Sequence, residues 1–310
     1  MITVVGEALL DLVSNGERDV FTAHPGGSPA NTAVGLARLG LPVTLATQLG
    51  DDLAGRLVRE HLGSSGVALQ LLPSPAPQTS LALAAVDDDG GATYDFRLSW
   101  DVAGIPRLPP ECVCVHTGSL AAARPPGYAA IDELLRTYGP SREISVSFDP
   151  NIRPSLIGSR EDERRRMERQ VPHCDIVKVS AEDLHWLHPG QEAAAIARRW
   201  LSWGPALVIV TLGADGAWAL NHAADTRVGS IPATVIDTVG AGDAFSAGLL
   251  AALHSTGLLG VGSHGLLAAM DEGALRSAVT HAARVAALTC SRAGADPPTR
   301  QELENWHSRT

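Results

Sequence analysis

The sequence predicts an α/β protein built on a central, mostly parallel sheet with helices on both faces and a small antiparallel flap. Three observations carry this. Short β-branched runs recur at Ile2–Val5, Val43–Ala46, Val113–His116, Ile144–Phe148, Ile176–Val179 and Leu207–Thr211. Amphipathic stretches of helical period separate them, an alternation that buries parallel strands between two helical layers. Two segments break the pattern with period-two alternation around turn residues, which reads as strands outside the main sheet.

In chain order, MITVVGEALLDLV carries neither a basic leader region nor a small-residue cleavage pattern and reads as a strand opening a domain, so a cytoplasmic location is expected. Asp11 follows this strand. It is either an exposed strand-end acid or a carboxylate placed to accept two hydroxyl protons from a polyol. Gly26-Gly27-Ser28-Pro29-Ala30-Asn31 is a turn into a helix over Pro29–Leu39, with Ser28 expected as cap and Pro29 at the first helical position. The paired glycines let backbone approach a ligand closely, and Asn31 offers donors and an acceptor. A plain tight turn explains the same residues. Gly50-Asp51-Asp52 caps a helix over Leu53–Leu62. The flap is assigned to about residues 11–22 and 79–103, around Asp11–Phe21 and Thr79–Trp100, with an Asp-rich turn at Asp87–Gly91. A flap beside an α/β core suggests a lid that closes over a ligand and excludes water.

Further helices are expected at Gly127–Tyr138, Arg160–Gln170, Gln191–Trp203, Asp243–Leu253 and Ser277–Cys290. Asp149-Pro150-Asn151-Ile152-Arg153-Pro154 sits at the carboxyl end of a strand, where open α/β sheets bind ligands, and Arg153 could hold a phosphate bidentately. Lys178 and Glu182-Asp183 follow the next strand, the acids suiting a hydrated Mg²⁺. Thr211–Gly216 follows the one after, an open turn against which a nucleotide could lie. In Val235–Phe245, VIDTVGAGDAF, the turn Gly240-Ala241-Gly242 leads into a helix whose orphan amides and dipole form an anion receptor. Asp243 within it is either a helix cap or a base for a group about to attack that anion.

Composition removes several classes of function. No apolar run approaches the roughly 20 residues of a membrane span, and a net charge of −10 is unlike that of a nucleic-acid binder. The basic cluster Arg164–Arg166 is interleaved with acids, as on a solvated helix face. Four cysteines show a C-x-C without C-x-x-C, and eleven histidines show no H-E-x-x-H. Neither a Walker A sequence nor G-x-G-x-x-G after the first strand occurs. A small-molecule partner is the expectation.

Along essentially the whole chain these residues resemble the ribokinase-like (PfkB) carbohydrate kinases. Val235–Phe245 is similar to the family's D-T-x-G-A-G-D motif, and Gly26–Gly40 to its N-terminal one. VGEALLDLV and DPNIRPSL resemble bacterial fructokinases within it. The resemblance implies one three-layer α/β/α kinase domain over residues 1–310, acting with ATP and Mg²⁺ on a sugar, with fructose converted to fructose 6-phosphate. It leaves open a kinase for 2-keto-3-deoxygluconate, ribose or a nucleoside, and, in another class, a sugar sensor without catalysis. Asp243 would be the base, next to Gly240 of the same turn, with the amides of Ala241, Gly242 and Asp243 as an anion hole. Asp11, Gly26, Gly27, Asn31, Arg97, Asn151 and Arg153 would lie on the substrate side. Lys178, Ser180, Thr211, Gly213, Gly216, His281, Ala283 and Ala287 would border ATP. Backbone carbonyls of Asp237, Val239, Arg292 and Gly294 would hold K⁺. Where many members have N-x-x-E near Mg²⁺, this chain has Ser180-Ala181-Glu182-Asp183, so either acid could position the metal's water. A homodimer through the lid is also expected.

Overall fold

A computed structural model describes residues 1–14, 20–86, 92–156 and 158–307. The chain begins with β1 (Ile2–Val5), β2 (Leu9–Ser14), β3 (Thr22–Gly26), α1 (Ser28–Arg38), β4 (Val43–Thr47), α2 (Leu53–Ser64), β5 (Ala68–Leu71), β6 (Ser80–Val86) and β7 (Ala92–Arg97). Next come β8 (Cys114–Gly118), α3 (Ser119–Ala123), α4 (Tyr128–Tyr138), β9 (Ser145–Asp149), α5 (Arg160–Gln170), β10 (Ile176–Ser180), α6 (Ala181–Leu187) and α7 (Ala193–Leu201). The last part holds β11 (Leu207–Thr211), β12 (Ala217–Asn221), β13 (Asp225–Val228), α8 (Ala241–Ser255), α9 (Ser263–Ala268), α10 (Glu272–Cys290) and α11 (Arg300–His307).

Among the described residues, nine strands form one sheet in the order β13-β12-β11-β10-β9-β8-β1-β4-β5, parallel from β11 to β5 with an antiparallel edge at β12 and β13. Successive residues of a strand face opposite sides, and the two sides bury different helices. Ile2, Val4, Leu45, Ile176, Leu207 and Ile209 pack with α1, α2, α8 and α10. Val5, Val115, Phe148, Val177, Val208 and Val210 pack with α4, α5, α6 and α7. This is the three-layer α/β/α arrangement expected from strand runs that are apolar on both faces.

The small sheet has the order β3-β2-β6-β7. Its outer pairings are antiparallel and the middle one, β2 with β6, is parallel. The flap segment expected over about residues 11–22 starts earlier and ends later: β2 begins at Leu9, and β3, from Thr22, runs straight into the Gly26-Gly27 turn. The Asp-rich turn at 87–91 lies outside the described residues. The helix of the 277–290 run starts earlier, at Glu272, because Asp271 accepts a hydrogen bond from the Ala274 amide at 2.8 Å and caps it. Asp52 caps α2 through the Gly55 amide at 2.7 Å, as expected.

Candidate active site

The carboxyl ends of the parallel strands β1, β8, β9, β10 and β11 lie along one edge of the sheet, and the start of α8 reaches them through Ser246 on Asp149 and Gly242 beside Lys178. β1 lies where the strand order reverses, between β8 and β4, so the ends open a crevice at the topological switch point. Gly240 takes the left-handed conformation (φ 74°) that glycine tolerates, and α8 starts at the next residue. The Ala241 amide donates to Thr238 O at 3.2 Å. The amides of Gly242 and Asp243 have no recorded acceptor among the described residues, so they are the open donors of the three the motif nominated.

Asp243 does not cap the helix. It lies in the first turn, 6% exposed, and both oxygens turn to α1: Ser28 Oγ donates to Oδ1 at 2.7 Å and Asn31 Nδ2 to Oδ2 at 2.8 Å. Ser28 is therefore not the cap of α1 either. Gly27 holds that position (φ 102°) with no side-chain bond, and a side chain there would meet Glu7 O at 2.7 Å. Burial raises the Asp243 pKa; the bonds from Ser28 and Asn31 and the charge of Lys178 oppose it, while Asp149 reinforces it.

Lys178 on β10 and Asp149 at the end of β9 form a buried pair, Nζ to Oδ2 at 2.7 Å, and Ser246 Oγ on α8 donates to the same oxygen at 3.3 Å. A side chain on Gly242 would begin 3.0 Å from Lys178 Nζ, so the ammonium stands against the open end of α8. Asp149 was read only as part of its loop; its pairing crosses three elements and leaves no local sequence signal. Glu7, after β1, is 4% exposed and accepts from the Ala121 amide at 2.9 Å. Burial lifts its pKa to about 7, helped by the charge of Asp243 and opposed by bonds from Ser119 and backbone amides.

On the lid side, Asp11 pairs across β2 and β3 with His24, and its carboxylate lies over Gly26 with no room for a side chain there. Burial raises its pKa to about 6, against the pull of His24. Arg153 is exposed and donates to Asn151 Oδ1 at 2.6 Å, Asn151 being left-handed (φ 41°). Arg97 is exposed at the end of β7.

On the opposite side, Gly213 and Gly216 have φ of 58° and 89°, and the Leu212 amide closes the turn on Gly216 O at 2.8 Å. α10 packs over β12 and β13. Helical spacing puts Ala283 and Ala287 on the face of Arg276, which bonds Arg227 O of β13 at 3.0 Å. The structure does not bring His281 to that face; it lines a groove with Leu39, Ala251, Ala278 and Leu303 at the other end of α8.

Ser180 and Asp183 form a capping box at the start of α6. Asp183 also accepts the Ile152 amide at 3.2 Å, so its oxygens are engaged, while Glu182 is exposed. Asp237 ties two loops together, accepting from Val239 N at 3.0 Å and Gly294 N at 2.8 Å, with Ile236 N on Cys290 O at 2.8 Å. That brings the segments of Asp237, Val239, Arg292 and Gly294 side by side.

A doubly covered parallel sheet whose strand ends face a helix N-terminus holding a buried carboxylate, an ammonium and open amides has the parts that a phosphotransferase needs. The comparisons agree. The model of the pfkB family carbohydrate kinases matches residues 1–302, and the chain belongs to that family. A fructokinase of Rhizobium leguminosarum bv. trifolii is 36% identical over 288 residues, covering 89% of this chain and 86% of its own. The fructokinase of Xylella fastidiosa, solved with bound ATP, superposes with a TM-score of 0.88 at 26% identity over 99% of this chain and 98% of that one. A double mutant of the Vibrio cholerae O395 fructokinase, solved with fructose, ADP and potassium ion, gives a TM-score of 0.80 at 28% identity over 98% and 97% of the two chains. Among the described residues no helix is long and apolar enough to cross a membrane.

Proposed function

We propose that this protein is an ATP-dependent fructokinase that transfers the γ-phosphoryl group to fructose and releases fructose 6-phosphate and ADP. The observation that carries the reading is Asp243, a buried carboxylate in the first turn of α8 beside two open amides and the Lys178 ammonium. Fructose is taken from the relatives, which are fructokinases at moderate identity.

Asp243 takes the proton of the attacking hydroxyl while the new O–P bond forms, and ADP leaves with the electron pair of the broken bond. The Gly242 and Asp243 amides and Lys178 hold the phosphoryl oxygens as their charge redistributes. Asp11 and the Gly26-Gly27 backbone bind sugar hydroxyls under a lid made of the small sheet, and Arg97, Asn151 and Arg153 border the acceptor. The Thr211–Gly216 turn and the Ala283–Ala287 face border the nucleotide. Mg²⁺ on the triphosphate would neutralise its charge, and the donor set fits a largely hydrated ion: Glu182 is the exposed carboxylate, and no cluster of three acidic, His or Cys ligands occurs among the described residues. K⁺ fits the backbone carbonyls of the loops joined by Asp237. A cytoplasmic homodimer paired through the lid completes the proposal.

The test is ADP release from MgATP with K⁺ over fructose, ribose, 2-keto-3-deoxygluconate, adenosine and fructose 6-phosphate at matched concentrations. A dominant fructose signal is expected. A different winner refutes fructose while keeping the transfer chemistry, and silence with every acceptor refutes catalysis.

A further inference from the structure

Ser28 has no role in the mechanism above, yet its hydroxyl is one of two groups that hold the base. We infer that Ser28 is a positioning residue that makes Oδ1, rather than Oδ2, the oxygen of Asp243 that receives the sugar proton. The inference rests on Asp243 being the base.

The two partners of the carboxylate are chemically unequal. Asn31 Nδ2 lies 2.8 Å from Oδ2 and can only donate. A proton arriving on Oδ2 would make that oxygen a poorer acceptor and weaken the Asn31 bond, which Asn31 Nδ2 cannot answer by accepting, in a buried site. Ser28 Oγ lies 2.7 Å from Oδ1 and can donate or accept by turning about its Cβ–Oγ bond. It donates to the ionised carboxylate and accepts from the protonated one, so Oδ1 stays satisfied in both states. When the sugar oxygen bonds to phosphorus, its proton passes to Oδ1, the Ser28 hydroxyl rotates to accept it, and Asn31 keeps its bond throughout. Ser28 and Asn31 are both partly buried, so what separates the two oxygens is the chemistry of their partners. The other charged groups facing Asp243 are Lys178 from β10, Asp149 from β9 and Glu7 after β1. None of them makes a recorded hydrogen bond to either oxygen of Asp243.

The experiment measures kcat and KM for fructose with MgATP from pH 5 to 9 in the full-length enzyme and its Ser28→Ala, Ser28→Thr and Asp243→Asn variants. It also titrates protein labelled with ¹³C at the aspartate carboxyl, where the Asp243 signal is the one Asp243→Asn removes. Ser28→Ala takes away a bond to the ionised form. Its acid limb and the Asp243 titration are therefore expected to move up by about one pH unit. kcat should fall about tenfold or more, since a proton on Oδ1 then has no acceptor, while KM stays within about threefold. Ser28→Thr, which keeps the hydroxyl, restores both. An unmoved titration in Ser28→Ala, or a raised KM at unchanged kcat as for a simple sugar ligand, overturns the inference. Retained turnover in Asp243→Asn overturns instead the reading of Asp243 as the base.

Discussion

Replacing Lys178 by Met separates two roles that the structure superimposes on one side chain. The Lys178 and Asp149 side chains are 7% and 3% exposed and 2.7 Å apart. Without the ammonium, Asp149 keeps only the Ser246 hydroxyl at 3.3 Å on Oδ2, and its Oδ1 has no hydrogen-bond partner. Stranding a buried charge in this way costs about 3–5 kcal/mol. An unfolding entropy of about 2.1 cal/mol/K per residue over 310 residues is about 0.65 kcal/mol/K. Lys178→Met should therefore lower Tm by about 5–8 °C. Adding Asp149→Asn removes the stranded charge and should recover most of that loss. Turnover should not recover, because Lys178 also stands beside Gly242, where the proposed mechanism holds the transferring group; kcat should stay about 10²- to 10³-fold down in both variants. Calorimetry and the coupled ADP assay on the same preparations decide the matter. If the paired variant regains kcat to within a few-fold of wild type, Lys178 merely neutralises Asp149 and the phosphoryl-holding role is wrong.

Other expectations follow from the buried acids and the cation loops. Glu7, lifted to about 7, binds its proton more tightly in the folded state, so its stabilising contribution is present at acid pH and is lost as pH rises toward and through 7. Glu7→Gln, still able to accept from Ala121, should raise Tm relative to wild type at pH 8.5 and leave it unchanged near pH 4.5; equal shifts at both would contradict this. Asp11, lifted to about 6, would in its proposed role accept sugar hydroxyls fully only when ionised. The sugar KM should climb as pH falls below 6, and Asp11→Asn should give a high KM that no longer varies with pH. K⁺ should stimulate turnover over a large organic cation, and equal rates in Na⁺, K⁺ and tetramethylammonium would remove the proposed carbonyl site.

The layers were legible because strands apolar on both faces can only lie between two helical sheets of cover, and the principal motif lay in one continuous segment. Contacts between distant segments were not. Ser28 reads as a helix cap, since Ser before Pro at a helix start usually is one, but its hydroxyl is drawn 215 positions along the chain to Asp243. β3 escaped notice because Thr22–Gly26 contains Pro and Gly, which disfavour a strand, while its place beside β2 is fixed by tertiary pairing. α6 could have been found: Ser180 and Asp183 have capping-box spacing. His281 was grouped with Ala283 by proximity in sequence, although two residues along a helix point about 200° apart.

Two of the helices that cover one side of the sheet, α8 and α10, arrive late. α1 follows the first strands and packs on β1 and β4, but α8 and α10, which lie within residues 241–290, close over α1 and the β12–β13 edge only at the end, so a chain emerging from the ribosome carries α1 with its α8-facing side uncovered until then. Such a nascent chain exposes apolar surface of the kind that favours association until its last third is made. The same late segment delivers Asp243 to α1, so a prematurely terminated product lacks both this part of the core and the base that the proposed reaction needs.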